Sequence, residues 1–513
     1  MANALQQKDR HVIPNFRGFA ETAELGELDR AQIQDPNHIN MSIEGTLSIW
    51  RESPSIGVAA DLLSAATVAG ETLLADVREA AKYLSDHYDT ITFSQRDIVN
   101  RILENPDRNL QQSRLRRIKD FIDEDNRSFL HEKIHWLRRA GTRFARDPIL
   151  FVELARYYSI LGLKAKAEKN MLIAINMAPN NRYVIRSFAR LFSHFNEIEF
   201  AYDFLKRSEV TRNDPWLLSA EISLAAMLER KSQLIKHAKR LIHSEKFSAR
   251  SLAELSTAIG TMELLAGDRK KAKNLLNVAL SDPNDNALAQ VEWLLSKDRL
   301  FDIDVAKFGV KRSFEALARE SFERLDWDKV IRHAEDWFMD MPFVRRPVLL
   351  AAHVASVALD DQTTAEVFCR AGLIAHPGDP LLLNNLAYSL ALENRLDEAR
   401  SQLDKVQTEK VTEESTRICL TATNGLIRFR ERDFDRGRAL YLEAIQSSSK
   451  SQNSDLYHLA IINYAREEIL SGSVFVGTAI EMLNGIKLGP RSTVLKLFLD
   501  RVKALADKQI ATS

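Results

Sequence analysis

The composition of this 513-residue chain is typical of a soluble globular protein without bulk charge. Its 71 basic residues equal its 71 acidic residues, which argues against a chain that coats nucleic acid or an anionic membrane. Only 18 glycines and 13 prolines are present, about half of the average usage of roughly 12%. We therefore expect helices joined by short loops, either in about three or four compact domains or in one repeat array.

The sequence also predicts a cytoplasmic location. No cationic start is followed by an apolar stretch and a cleavage site. Asp61 and Ser64 interrupt the most apolar run, residues 56–67, so no stretch reaches the roughly 18 residues of a membrane span. Cys369 and Cys419 are the only cysteines and lie in separate helical patterns, which excludes a disulfide framework.

The first 52 residues show little periodicity and are predicted to form an irregular N-terminal segment. Within them, residues 11–16 and 35–38 contain prolines and predict extended or turn structure that could lie along the first helices. From residue 53 onward apolar residues recur at three- and four-residue spacing. Residues 53–146 are therefore predicted to form an N-terminal helical region.

A period of 34 residues is the main signal of the sequence, and it is clearest over residues 148–213 and 346–446. In each copy, large and small apolar residues recur in the same order on two successive helices. Ala155, Ala167 and Ala174 are the small residues of the first copy. They allow paired helices to approach closely, while larger residues fill the space between neighbouring units.

With these residues the chain resembles the tetratricopeptide repeat family, in its bacterial form. The resemblance implies an all-α fold, a right-handed α-α superhelix of helix–turn–helix units. We expect one array over residues 147–297 and a second over 313–489, joined by a connector at 298–312 that is rich in Asp and Lys. A long loop between repeats is the alternative for that connector. Residues 490–513 are predicted to form a capping helix and tail.

The resemblance also implies where a partner binds, because in this family the first helix of each pair lines a concave groove. Arginines at groove positions can hold an acidic peptide bidentately, and an apolar groove suits an amphipathic helix or the chain's own extension. The alternatives are arginines paired with neighbouring acids, and an apolar face that packs on itself. The candidate partner-binding residues are Arg156, Tyr183, Arg186, Arg190 and His194 in the N-terminal copies, and Tyr388, Leu392 and Phe429 in the C-terminal copies. Charge reversal at Arg186 and Arg190 is expected to abolish binding without changing the melting temperature.

His131, Glu132 and His135 form the one motif that suggests an enzyme. On a helix, two histidines at this spacing share a face, and the glutamate can activate a zinc-bound water, as in the zinc-peptidase signature that the pattern resembles. Lys133 between them and the missing third histidine argue against a metal site. We therefore expect no cofactor and no catalysis, and a zinc-dependent hydrolase is the alternative.

Residues 101–146 hold 12 basic and seven acidic residues. An RNA-binding face is conceivable there, but aromatic stacking residues are not interleaved as single-strand binding requires, and a solvated helix face is the other interpretation. Our prediction is a non-catalytic scaffold or adaptor that binds and positions a protein partner, a peptide or an effector enzyme, without membrane contact. By analogy, such a protein would belong to a bacterial toxin–antitoxin or phage-defence pair.

Overall fold

The described part of the chain consists of helices and loops and contains no strand, which confirms the predicted all-α class. In this computed structural model, the described residues are 10–18, 43–69, 74–87, 90–91, 98–99, 102–103, 115–124, 126–143, 146–244, 246–298, 300–451, 453–489 and 492–512. None of their helices is both long enough and apolar enough to span a bilayer. The turn predicted at residues 35–38 lies outside the described residues.

The chain divides into two compact units, one of residues 22–116 and one of residues 1–21 together with 117–513. The smaller unit contains α1 (Ile43–Glu52), α2 (Ile56–Ala69) and α3 (Ala75–Asp86). Their apolar faces meet in a core that includes Leu62, Leu63, Ala66, Val77 and Leu84. Helical structure therefore begins ten residues before the predicted position, residue 53, at Ile43.

The larger unit is an array of helix pairs. Its N-terminal helices are α4 (Arg116–Ile122), α5 (Ser128–Arg143), α6 (Pro148–Ile160), α7 (Lys164–Met177), α8 (Arg182–His194), α9 (Ile198–Arg207), α10 (Glu209–Asn213), α11 (Pro215–Met227), α12 (Ile235–Ile242), α13 (Ala249–Leu265), α14 (Arg269–Ser281) and α15 (Asp285–Lys297). The C-terminal ones are α16 (Phe314–Glu323), α17 (Trp327–Asp340), α18 (Arg345–His353), α19 (Gln362–Ala375), α20 (Pro380–Leu392), α21 (Leu396–Leu403), α22 (Glu414–Arg430), α23 (Phe434–Lys450), α24 (Ser454–Ser471), α25 (Val476–Asn484) and α26 (Thr493–Thr512). A π-helical turn, Val354–Ala358, extends α18.

The repeat period sets the spacing of the helices. First helices begin at Pro148, Arg182, Pro215 and Ala249, in steps of 34, 33 and 34 residues. Local sequence explains several of these starts, because an aspartate followed by a proline caps the helix. The Asp147, Asp214 and Asp379 side chains each accept a backbone N–H of the first turn, and the proline follows at the first helical position.

A left-handed residue closes the first helix of most pairs. Gly162 and Gly472 serve at two such turns with φ of +67° and +62°, which glycine adopts without steric cost. Other pairs place a side-chain-bearing residue there, as at Glu229, Leu325 and Arg432. The turn geometry is therefore kept where the glycine signal is absent, which explains why several repeats are degenerate in sequence.

The predicted connector at 298–312 does not separate two bodies. A short 3₁₀ turn, Val305–Phe308, lies in it, and Val305 packs in one apolar cluster with Leu288 of α15 and Ala316 of α16. The division between compact units falls instead at residues 21/22 and 116/117. The connector does not divide the array because the apolar core continues through it from α15 to α16.

The last helix folds back along the array. α26 packs on α24 and on the π-helical turn, where Arg501 donates to the backbone carbonyl of Ala358 at 2.9 Å and pairs with Asp360 at 3.2 Å. These contacts lie about 140 residues upstream of the helix, so α26 covers first helices of the C-terminal repeats rather than extending the stack.

Candidate functional site

An extended stretch of the chain's own N-terminus lies against the first helices of the larger unit. We call these residues, 10–18, the inner segment, and the helix face that they contact the inner wall. Every second residue of the inner segment is buried, namely Arg10, Val12, Pro14, Phe16 and Gly18, and those between them are half-buried. This two-residue alternation is the pattern of an extended peptide with one face on a surface. Of the two forms predicted for residues 11–16, extended or turn, the alternation supports the extended one.

Apolar contacts hold the middle of the inner segment. Val12 is 1% exposed and packs in a cluster with Ile222 of α11 and Ile259 of α13. Phe16 is also 1% exposed, and its ring centroid lies 5.7 Å from that of Phe343. Each side chain at this depth stabilises the segment by about 1.5–3 kcal/mol relative to exposure.

Charged residues hold both ends. Arg10 pairs with Glu315 at 2.8 Å and donates to the Gln290 side chain at 2.8 Å. Arg17 pairs with Asp285 at 2.7 Å and with Asp340 at 2.6 Å. Burial opposes the charge of Arg17, but the two carboxylates outweigh it and raise its pKa.

Three side chains of the inner wall bind the backbone of the inner segment. Gln290 donates to the carbonyl of Arg10 at 2.7 Å, Asn286 to that of Ile13 at 2.9 Å, and the Tyr183 hydroxyl to that of Arg17 at 2.9 Å. Such bonds read the backbone of an extended chain rather than its side chains, as peptide-binding surfaces do.

The predicted N-terminal site residues lie together on the inner wall, as the repeat phase implied. Tyr183 contacts the inner segment directly. Arg156 pairs with Glu153 at 2.9 Å, and its guanidinium lies beside Gly18, where a Cβ atom would come within 3.2 Å of Arg156 Nη2. His194 is half-buried and packs against Phe343 and His376, with ring centroids 5.2 Å and 4.8 Å away. That they bind a partner protein stays a prediction.

Arg186 is occupied by an internal ion pair. Its guanidinium donates to both Glu254 oxygens, at 2.9 Å and 3.0 Å, and lies 4.8 Å from the Trp216 ring centroid. Burial favours a neutral Glu254, but Arg186, Asn284 and Asn286 hold the pKa of that carboxyl below its ordinary value. Charge reversal at Arg186 would place two carboxylates together in the interior. We therefore expect it to lower the melting temperature, where the sequence alone predicted no change.

The predicted C-terminal residues pack within the protein. Tyr388 is 4% exposed and donates to Asn463 Oδ1 at 2.7 Å. Phe429 is equally buried, 5.9 Å from the Tyr441 ring, and Leu392 is half-buried. This is the self-packing alternative for the apolar face.

The zinc-peptidase-like motif lies on the outside of α5. His131, Glu132 and His135 are all exposed, whereas Leu130, Ile134 and Leu137 form the buried stripe of the helix. Among the described residues, no group of three or more His, Cys, Asp or Glu side chains is placed to hold a metal ion. Whether the motif binds zinc stays a prediction to be measured.

The basic region at 101–146 is described in part. Arg117 pairs with Asp336 at 2.5 Å and lies 3.7 Å from Glu335, so some of its charge is neutralised. Arg138 and Arg139 are exposed. Trp136, which directly follows His135, is 64% exposed. Phe129, 44% exposed, is a second exposed aromatic residue in the described part of this region. Whether the region binds RNA stays a prediction.

The residues that receive the inner segment were missed by sequence reasoning. They are Asp285, Asn286, Gln290, Glu315 and Asp340. They belong to repeats whose consensus is degraded, so their groove positions could not be assigned. The run Asn284-Asp285-Asn286 at a helix start was the one available signal.

No family model matches the chain, and no curated protein matches it. Among solved structures, it is similar to the APC/C hetero-tetramer Cut9–Hcn1, with 11% identity over 91% of this chain and 92% of the other and a TM-score of 0.36. It is also similar to yeast Tom70, with 13% identity over 77% of this chain and 99% of the other and a TM-score of 0.30. Since both scores are low, the all-α solenoid assignment rests on the helices of the chain itself.

Proposed function

We propose that this protein is a non-catalytic scaffold whose inner wall binds a protein partner through an extended peptide. The inner segment carries the proposal, because the wall already holds nine residues of extended chain. Side chains from four helices take part in its hydrogen bonds and ion pairs. A surface with these donors and apolar pockets would accept a similar peptide from another chain.

The chemistry of the wall defines the peptide. Backbone donors are spaced along it, pockets for Val12 and Phe16 lie between them, and carboxylates stand at both ends. The inner segment contains two arginines and no acidic residue. We therefore propose a basic, alternately apolar partner segment in place of the acidic peptide predicted from the arginines alone.

The inner segment competes with such a partner, because both use the same wall. A partner must displace it or bind when it is loosened, which reduces the apparent affinity by the fraction of open protein. Membership of a bacterial toxin–antitoxin or phage-defence pair, and a cytoplasmic location, stay predictions, since no contact in the structure bears on either.

A labelled peptide of residues 9–19 tests the binding surface. We expect it to bind a full-length F16A/R17A variant at least tenfold more tightly than the wild-type chain, because the variant holds its own segment weakly. Ile13→Ala, which alters a half-buried residue, is the matched control and should resemble wild type. A peptide with alanine at Val12 and Phe16 should not bind.

A photo-crosslinking side chain at Tyr183 tests the partner. We expect the natural partner to be captured there and to be displaced by the labelled peptide. Partner binding that saturating peptide leaves unchanged would place the interface elsewhere on the molecule.

A further inference from the structure

Arg190 is a half-buried arginine of the inner wall. It is on α8, one turn after Arg186 and one turn before His194. It forms no ion pair or hydrogen bond with any residue that the structure describes, and its Nε is buried without a partner. Burial and the charge of Arg346 lower the pKa of Arg190 to about 10, whereas the charge of Glu315 opposes the decrease. A buried guanidinium nitrogen without a hydrogen-bond partner is unfavourable.

Arg190 faces a cavity of about 110 Å³ beside the inner segment. A single water needs about 10–15 Å³ by the same measure, so the cavity has room for several water-sized groups. Three guanidinium groups line it, whereas Glu315 is the one acidic residue among the described lining residues. The guanidinium groups belong to Arg10, Arg190 and Arg346.

Glu315 is already shared among other arginines. It pairs with Arg10 at 2.8 Å, with Arg346 at 3.0 Å and with Arg319 at 3.4 Å. Its pKa is held far below its ordinary value, because these cations outweigh the effect of burial. The single negative charge of Glu315 cannot neutralise four guanidinium groups, the three at the cavity and that of Arg319.

The neighbouring carboxylates are occupied too. Asp285 and Asp340 both pair with Arg17, and Arg312 adds a contact to Asp340 at 3.4 Å. The cavity therefore keeps a formal excess of two positive charges from Arg10, Arg190 and Arg346 over Glu315. An anion would balance this excess of positive charge.

We propose that the cavity binds a small phosphate-bearing anion through Arg190, Arg346 and Arg10. Planar guanidinium groups match phosphate oxygens bidentately, and their attraction is strong where water is largely excluded. The site does not depend on the proposed peptide function, since the cavity and its charges belong to the chain as it stands. Because Arg10 belongs to the inner segment, the bound anion also fastens that segment to the inner wall.

Calorimetric titration of the full chain with inorganic phosphate and with pyrophosphate, against sodium chloride at equal ionic strength, tests the site. We expect one saturable site in the wild-type protein and at least a tenfold loss of affinity in Arg190→Met. Arg207→Met, which removes an exposed arginine of α9, is the matched control and should bind as wild type does.

Thermal unfolding gives a second readout, which shows whether the Arg190→Met variant is folded and whether phosphate stabilises it. Without phosphate, Arg190→Met should melt at or above the wild-type temperature, because it removes a half-buried charge that has no direct ion pair. With phosphate, only the wild-type and Arg207→Met proteins should gain stability, in proportion to ligand saturation. If neither anion binds more tightly than chloride, or if Arg190→Met binds them as the wild type does, the proposal is wrong.

Discussion

The half-buried imidazole rings of His194 and His376 contact each other, with their centroids 4.8 Å apart. His194 ends α8 and His376 follows α19, so the pair joins two helix pairs that are remote in sequence. The His376 Nε2 atom also forms a hydrogen bond of 2.8 Å with the backbone carbonyl of Phe343. Phe343 packs against Phe16, which connects the pair to the inner segment.

This histidine pair should make the protein less stable below pH 6.5. Burial lowers the pKa of His194 well below its ordinary value, helped by the charge of His376, and burial also lowers the pKa of His376. The charges of Arg190, Arg345 and Lys164 lower the pKa of His194 further. At His376, the charge of Asp379 opposes the effect of burial. Below about pH 6.5 these histidines are protonated in the unfolded chain but stay neutral in the folded chain. The free energy of unfolding therefore decreases by up to about 1.4 kcal/mol per pH unit for each histidine.

Urea unfolding at pH 7.5 and pH 5.5 measures this loss. The H194N/H376N double variant should lose less stability between the two values than the wild type. His135→Asn, at an exposed position, should lose as much as wild type. Equal losses in all three proteins would show that the buried pair does not control the acid response.

Arg186→Met should destabilise the protein by about 3–5 kcal/mol, because it leaves the buried Glu254 carboxylate without its partner. The R186M/E254M double variant should recover much of that loss, since an apolar pair replaces the ion pair. Arg230→Met breaks the exposed pair with Glu199 and should leave the unfolding free energy nearly unchanged. A double variant as unstable as Arg186→Met would contradict the pairing.

Ala167→Phe and Ala399→Phe should each destabilise the protein by roughly 1–3 kcal/mol, because a close-packed helix contact cannot take the added volume. Both alanines are fully buried, as the repeat phase predicted. Ala165→Phe is the control on α7, where the alanine is exposed, and its melting temperature should stay near that of wild type. Unchanged unfolding of both buried variants would mean that the repeat phase is wrong.

Leu325→Gly should stabilise the protein by roughly 0.5–1 kcal/mol, because a left-handed residue with a side chain is strained and glycine is not. Leu325 has a φ of +60° and is 45% exposed, so little packing is lost. Leu359→Gly is the matched control, since Leu359 has a φ of −94° and similar exposure. The control should be destabilised, and equal behaviour of the two variants would remove strain as the explanation.

Purified protein should contain no stoichiometric zinc. His131 and His135 are exposed on α5, and a catalytic zinc normally needs three protein ligands and an open position. Elemental analysis after purification in zinc-supplemented medium measures the content. One zinc per chain that is lost in His131→Ala would establish a metal site and reopen the hydrolase alternative.

Local pattern was enough to determine the helix pairs. The 34-residue period predicted the buried alanines at 167 and 399 and the placement of Arg156, Arg186 and Arg190 on one face. This succeeded because helix periodicity and the order of large and small residues depend on contacts between near neighbours in sequence.

Only the tertiary structure decided which charges meet. Arg186 pairs with Glu254, 68 positions away, and Arg10 with Glu315, 305 positions away, so neither partner could be read from the repeat pattern. The same holds for Arg190, which lines one cavity with Arg10 and Arg346 only when the inner segment and the later repeats come together around it. The physical reason is that ion pairing depends on distance in space, which the curvature of the whole array sets, whereas each repeat specifies only the packing of its own helices and their immediate neighbours.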